Sequence, residues 1–400
     1  MSILDRVEAA RKTVSQKVTN WFTQPDVAHT GHIPDVDPRE QMREVGENLP
    51  LFFYLLLQQG ITENTGKALS DVPPLVSFTT WHRQFFMWLQ LGAGFVLIYL
   101  ATLIGDAFWL LLPLAWLLIA ACLRTMQVSF THYGSHGTLI QQSKRWNDWL
   151  ADVYAMIALS TPLAHYRSGH VGDGHHGKLN TESDPDSRFL IDNGFEPGKT
   201  AMWYWRHTFI LLLSPNYYLR GLAARVKMNL SFDKGTTVWR PFYVVVIQLL
   251  IVLAFLAFER LDLYVLGWVI PMVVYHGLAL LQNITEHNLA IVPGQPDDLG
   301  PETKYTTCRF FGNYHENRAV LILSLFKAWL AKLLTVGCTE LCSHSNHHSF
   351  KRRWFYESDI DWMNAPYSRA RAVKAGERYK ETWGFRDALN HNFKALSNKR

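Results

Sequence analysis

"FFMWLQLGAGFVLIYLATLIGDAFWLLLPLAWLLIAACL", Phe85 to Leu123, holds one charged residue, Asp106. A helix that crosses a bilayer needs about 20 mostly apolar residues, and Phe85–Ile104 meets that length. Only Gly105 and Asp106 separate it from a second apolar run, Ala107–Leu123. So short a link makes the pair a hairpin that enters and leaves on one side. The pattern recurs downstream, with Phe242–Phe258, then Glu259 and Arg260, then Leu263–Leu281. Two hairpins give four spans. The hairpin tips carry a single basic residue, Arg260, whereas residues 125–239 carry eleven Lys or Arg. The positive-inside rule therefore puts the long segments and both termini on the cytoplasmic side.

The rest of the chain agrees with a membrane protein. Its 400 residues include 15 Trp, 16 Tyr and 23 Phe, an aromatic density suited to membrane interfaces. The amino terminus, "MSILDRVEAARKTVSQKVTNWF", is charged throughout and has no apolar core of a secretory signal, so membrane entry falls to the later segments. Two interrupted apolar stretches, from Trp149 and from Ala319, read as helices lying at the interface. The four cysteines, Cys122, Cys308, Cys338 and Cys342, form no CxxC pair, which speaks against a disulfide framework or a rubredoxin-type iron site. The formal charge of +5 is modest and selects no partner; nucleic acid is not expected as one. The expected organisation is an N-terminal cytoplasmic or interfacial segment, 1–80, a membrane catalytic domain, 81–367, and a basic tail, 368–400.

The histidines are patterned. In "THYGSHG", His132 and His136 are four apart. If the second span continues as a helix, both fall on one face, and one metal ion can bridge them. "HYRSGHVGDGHHGKLNTESDPD" adds His165, His170, His175 and His176, and "CSHSNHHSF" adds His344, His347 and His348. "NITEHNLA", at the cytoplasmic end of the fourth span, puts Asn283 and His287 on one helical face. A lone histidine is ordinarily a surface or hydrogen-bonded core residue, and His29, His32, His82, His207, His315 and His391 are read that way. His276, inside the fourth span, is read as hydrogen-bonded to a neighbouring helix. Adjacent histidines cannot share a helix face, so an HH pair can serve two centres at once. Imidazole suits Zn, Cu, Fe and Ni, and the scarcity of thiolates excludes a Cys-rich zinc site or an iron–sulfur cluster. About nine converging histidines exceed the four ligands of a structural zinc. They suit a dinuclear site with open, nitrogen-rich coordination, beside apolar spans able to take a long hydrocarbon.

These residues resemble the membrane fatty acid desaturase and hydroxylase superfamily, which includes the alkane omega-hydroxylases. His132 and His136 match its first histidine box, His170, His175 and His176 its second, and His344, His347 and His348 its third. His287 is similar to the additional ligand after the fourth span, and Asn283 to the asparagine that holds a metal-bound water in acyl-CoA desaturases. The second box departs from the pattern. Four residues, "VGDG", separate His170 from the HH pair where two or three are usual, so His165 competes for its place. Two glycines let the chain bulge back into register, which favours His170.

The resemblance implies an all-α integral membrane fold, four transmembrane helices in two hairpins under a cytoplasmic helical cap that holds a histidine-ligated di-iron site. It implies two iron ions, dioxygen as co-substrate, an acyl or alkyl chain as substrate, and a separate ferredoxin, rubredoxin or cytochrome as electron donor. The first expectation is a fatty acid desaturase; an alkyl hydroxylase or an oxidative fatty acid decarboxylase shares the ligand set. Asp173, Glu182, Asp184 and Asp186 are candidate acceptors for the far N–H groups of the histidines, or else a solvated acidic turn; Glu286 and Glu340 carry the same two readings. The run Lys351 to Arg353 either docks an acidic carrier or anchors to lipid headgroups. Outside the enzymes, a histidine-rich metal transporter is the rival, but it would place ligands near mid-membrane, whereas these gather beyond the span ends.

Overall fold

The computed structural model describes residues 80–104, 108–140, 142–171, 174–179, 181, 183–232, 237–286, 307–310, 380–383 and 385–398, with single positions between 323 and 334. Apolar runs become helices in chain order. α1 (Thr80–Leu103) and α2 (Phe108–Thr125) form the first pair, and α2 runs on through a π-helical turn, Met126–Thr131, into the short α3 (His132–Ser135). Six shorter helices follow: α4 (Lys144–Ile157), α5 (Leu163–His170), α6 (His175–Lys178), α7 (Pro185–Asp192), α8 (Ala201–Leu213) and α9 (Pro215–Leu230). Four of their starts are written locally. Ser143, Asp184, Thr200 and Ser214 each accept a backbone N–H as N-caps, and Pro185 and Pro215 occupy first helical positions.

The second apolar pair is α10 (Arg240–Ala257), then α11 (Leu261–Tyr264), which passes through another π-helical turn, Val265–Val269, into α12 (Ile270–Glu286). Among the described residues the chain is helical but for one parallel pair of strands, β1 (Thr307–Phe310) with β2 (Lys380–Trp383). No alternating pattern announced that pair. Residues 385–397, inside the stretch read as a basic tail, form α13 (Phe385–Ser397), and it buries Leu389, Phe393 and Leu396 against Tyr204 and Trp205 of α8. Asn392 also donates to the Ile284 carbonyl near the end of α12.

Four stretches are long and apolar enough to cross a membrane: Thr80–Leu103, Leu110–Ser135, Arg240–Ala257 and Leu261–Glu286. The second and fourth are buried over 56% and 50% of their apolar windows, the first and third over 28% and 17%. The inner pair is therefore α2 and α12, which pack along each other, and the outer pair presents Leu89, Val96, Leu250 and Leu253 to the surroundings. The inner spans extend beyond the purely apolar runs because their polar groups are satisfied inside the protein. Arg124 donates to the Gln127 Oε1 at 3.1 Å and to Gln282, and Thr125 Oγ1 to the Ala121 carbonyl at 2.9 Å.

Each π-helical turn has a local account. The widened turn leaves a carbonyl poorly served by the regular ladder. Thr131 Oγ1 donates to Met126 O, five residues back, at 3.0 Å. In the fourth span Trp116 Nε1 crosses from α2 to donate to Leu266 O at 2.8 Å. α4, expected at the membrane interface, turns Asn147, Ala151 and Tyr154 inward and leaves Trp146 and Trp149 outward. Buried Arg240, at the start of α10, bridges the third span to Asp152 of α4 at 3.0 Å and to Asn229 of α9 at 3.0 Å.

Candidate metal centre

Where α2 ends, the π-helical turn brings His132 and then His136 over the bundle. His132 is 3% exposed and its Nδ1 lies 3.2 Å from the Val128 carbonyl, which holds the ring with Nε2 outward. That Nε2 lies 2.8 Å from Nε2 of His170, the last residue of α5. Ligand atoms of His132, His136 and His170 all lie within 4.8 Å of one another. His165, the competitor for the second box, sits more than a turn earlier on α5 and is not in this group. Gly174 folds back over Gly169, so that His175 opens α6 with its ring stacked 5.2 Å from that of His170.

His175 is held from the far side. Its Nδ1 meets Oδ1 of Asp184 at 2.8 Å and Oδ2 of Asp186 at 3.5 Å. Asp184 is 1% exposed and also caps α7, accepting from Asp186 N at 3.0 Å and Ser187 Oγ at 3.3 Å. Of the two readings for this carboxylate, orienting acceptor and solvated turn, its burial and bonding match the first. Burial pulls His175 down, but Asp184 and Asp186 together outweigh it and the imidazole is pushed up to about 9. His136 goes the other way: burial, His132 and the Arg167 charge hold it well below its ordinary value.

The histidines share a cavity of about 370 Å³ with the polar end of α12. His132, His170 and His175 line it, as do Gln282, Asn283 and Glu286. Glu286, 6% exposed, accepts from Gln282 Nε2 at 2.7 Å, and Asn283 Nδ2 donates to Ala279 O at 3.1 Å. The Tyr166 ring packs tilted against His170 at 5.0 Å, and burial, with Asp186 and Glu286 adding to it, pushes its phenol well above the ordinary range. The donor set of three clustered imidazoles, two of them buried and one half-buried, plus a fourth fixed by a carboxylate fits a cation that prefers nitrogen and oxygen ligands.

His287, His344, His347 and His348, the side chain of His176, and Asp173, Glu182, Glu340 and Lys351 to Arg353 lie outside the described residues. So does most of the second interfacial stretch, from Ala319.

The fatty acid desaturase family model matches residues 107–383, well over half of the 400 residues. The chain belongs to the fatty acid desaturase family. None of the curated proteins compared with it matches. Membership makes this desaturase-family chain an oxidoreductase of the acyl-chain class, with four apolar helices of an integral membrane protein.

Two of its structural features run differently from the sequence reading. His276 was read as hydrogen-bonded to a neighbouring helix; its ring instead packs against Tyr217 at 4.7 Å and Phe189 at 5.8 Å and lines the cavity, while its backbone carbonyl accepts from Tyr217 Oη at 3.2 Å. The second is a clamp that no motif in the desaturase boxes signals. Arg167 donates to Ser135 O at 3.0 Å and Gly134 O at 2.9 Å and pairs with Asp148, while Asn147, fully buried, donates to Gly134 O at 2.9 Å and accepts from Leu139 N at 2.9 Å. Together they fix the end of the first box against α4 and α5. His207 conforms to its structural reading, with Nε2 at 2.6 Å from the Asn193 carbonyl.

The carboxylate behind His175 makes the site pH-sensitive. In metal-free protein the folded value of His175, near 9, exceeds the ordinary 6.5, so its pairing contributes stability of about 3 kcal/mol below pH 6.5 that is lost as pH rises through 9. Melting temperatures of metal-free protein should fall across that window. Asp184→Asn keeps the cap but removes the charge, and should flatten the fall; an unchanged slope would refute the pairing.

Proposed function

We propose that the protein is an oxygen-dependent fatty acid desaturase that takes two hydrogens from an acyl chain. The observation that carries the reading is the clustering of His132, His136 and His170, with His132 and His170 lining one cavity together with His175, within a chain of this family. In this reading His132, His136, His170, His175, His176, His287, His344, His347 and His348 hold two iron ions, with Asn283 beside them. Bound iron supplies the redox capacity to activate dioxygen toward an unactivated C–H bond.

The protein's own part is placement. Asp184 keeps the His175 Nδ1 protonated and its Nε2 available as donor. Arg167 and Asn147 hold the first box still, and the α2–α12 pair walls the cavity from lipid. The overall change balances as two C–H bonds, one dioxygen, two electrons and two protons giving a C=C bond and two waters. A ferredoxin, rubredoxin or cytochrome supplies the electrons. The spans form two hairpins, with the helical cap, the metal centre and both termini on the cytoplasmic side, and residues 81–367 form the catalytic unit.

Purified protein from iron-replete cells is expected to carry two irons per chain. Given a reductant system and a panel of acyl substrates, it should form an alkene as main product. An alcohol or a chain-shortened hydrocarbon as main product would overturn the desaturase assignment. Zinc without iron would overturn the di-iron, oxygen-dependent reading.

A further inference from the structure

The cavity carries a cation that the metal centre does not use. Arg225, on α9, is 7% exposed and lines the same cavity as His132, His170 and His175. Its Nη1 donates to Ala158 O at 3.4 Å and its Nη2 to Met272 O, and its guanidinium stacks 4.1 Å from the Tyr275 ring. Arg124 covers the Tyr275 ring as well, at 4.8 Å. The two arginines differ in their company. Arg124 is linked through Gln282 to Glu286, whereas no carboxylate among the described residues pairs with Arg225, and its buried Nε has no hydrogen-bond partner. Burial, and secondarily Arg124, pull Arg225 down to about 10, which leaves it charged at neutral pH. A buried charge without a counter-charge is costly, and the cavity beside Arg225 offers an anion a place to sit.

We propose that Arg225 binds the carboxylate head of a free fatty acid in this cavity. The inference rests on the acyl-chain reading above and names its substrate class. A guanidinium left unneutralised among the described residues matches one negative charge, which suits a carboxylate better than a doubly charged phosphomonoester. Val128, Ala224, Met228 and Ala279 supply apolar lining for the first carbons of the chain. Glu286 and Asp186, also at the cavity wall, repel an anion and leave the Arg225 side as its seat. A head held there puts the carbons nearest the carboxylate, and not the methyl end, beside the histidines.

The test is calorimetric binding of palmitate, methyl palmitate and dipalmitoyl phosphatidic acid to the full-length protein in detergent micelles, with iron content and product measured in parallel. Palmitate should bind at least about tenfold more tightly than methyl palmitate, the worth of one charge-assisted hydrogen bond. Arg225→Gln should cut that preference below about threefold, and Arg225→Lys should keep part of it. If Arg225→Gln does not fold, the wild-type comparison decides alone: equal affinities for acid and ester refute the head site. Tighter binding of phosphatidic acid than of palmitate would replace it with a phosphate site. A palmitate preference without oxidised product leaves the head site standing and removes the desaturase reading; product without the preference does the reverse.

Discussion

His170→Ala is expected to strip most of the bound iron and lower turnover more than about 100-fold, while His165→Ala leaves both within about twofold. Replacing residues that merely orient metal ligands costs about 10–100-fold, and a ligand itself should exceed that. Both histidines lie on α5, five residues apart, and the sequence allowed either to complete the second box. Geometry separates them. His170 presents Nε2 2.8 Å from His132 Nε2 and packs edge-on to His136 at 5.5 Å. Metal analysis and turnover on membranes containing equal amounts of each variant make the comparison. Full iron in His170→Ala, or its loss in His165→Ala, would reverse the assignment.

Gly174→Ala is the second large effect. A Cβ there would lie 2.0 Å from the Gly169 carbonyl oxygen and 2.5 Å from its carbon. Those are backbone atoms, so no rotamer change relieves the clash, and the start of α6 must move off α5. The cost should be about 1–3 kcal/mol in stability, together with loss of iron as the His175 ring parts from that of His170. Gly92→Ala, in the first span, provides the control: its Cβ would meet nothing within 4 Å. Thermal unfolding and iron content of the two variants read the difference, and a Gly174→Ala protein with normal iron would show that the fold-back is not needed.

Much of this architecture is legible in one sequence because its strongest signals are local. A 17–20-residue apolar run needs no partner to be recognised, and the i,i+4 spacing of His132 and His136 needs only a continuing helix. The register of the second box was harder, since a four-residue gap fits no simple period. What brings His175 beside His170 is a glycine folded over another backbone, a contact invisible until the chain is assembled. Arg167, Asn147 and Arg225 were missed for the same reason. Each acts on carbonyls or cavities contributed by segments from 13 to 67 residues away, and a lone Arg or Asn on an amphipathic helix looks like any solvated one. The strand pair, whose partners are 73 residues apart by its register, left no local trace either.

The π-helical turn at Met126–Thr131 has a bearing on how such a site can be retuned. One residue along a helix advances about 1.5 Å but swings about 100°. Lengthening or shortening that turn by one residue would thus leave His132 and His136 at nearly the same depth relative to the bilayer while aiming them at a different quadrant of the bundle. Depth and direction are separately adjustable there, and only direction is sensitive to a single-residue change.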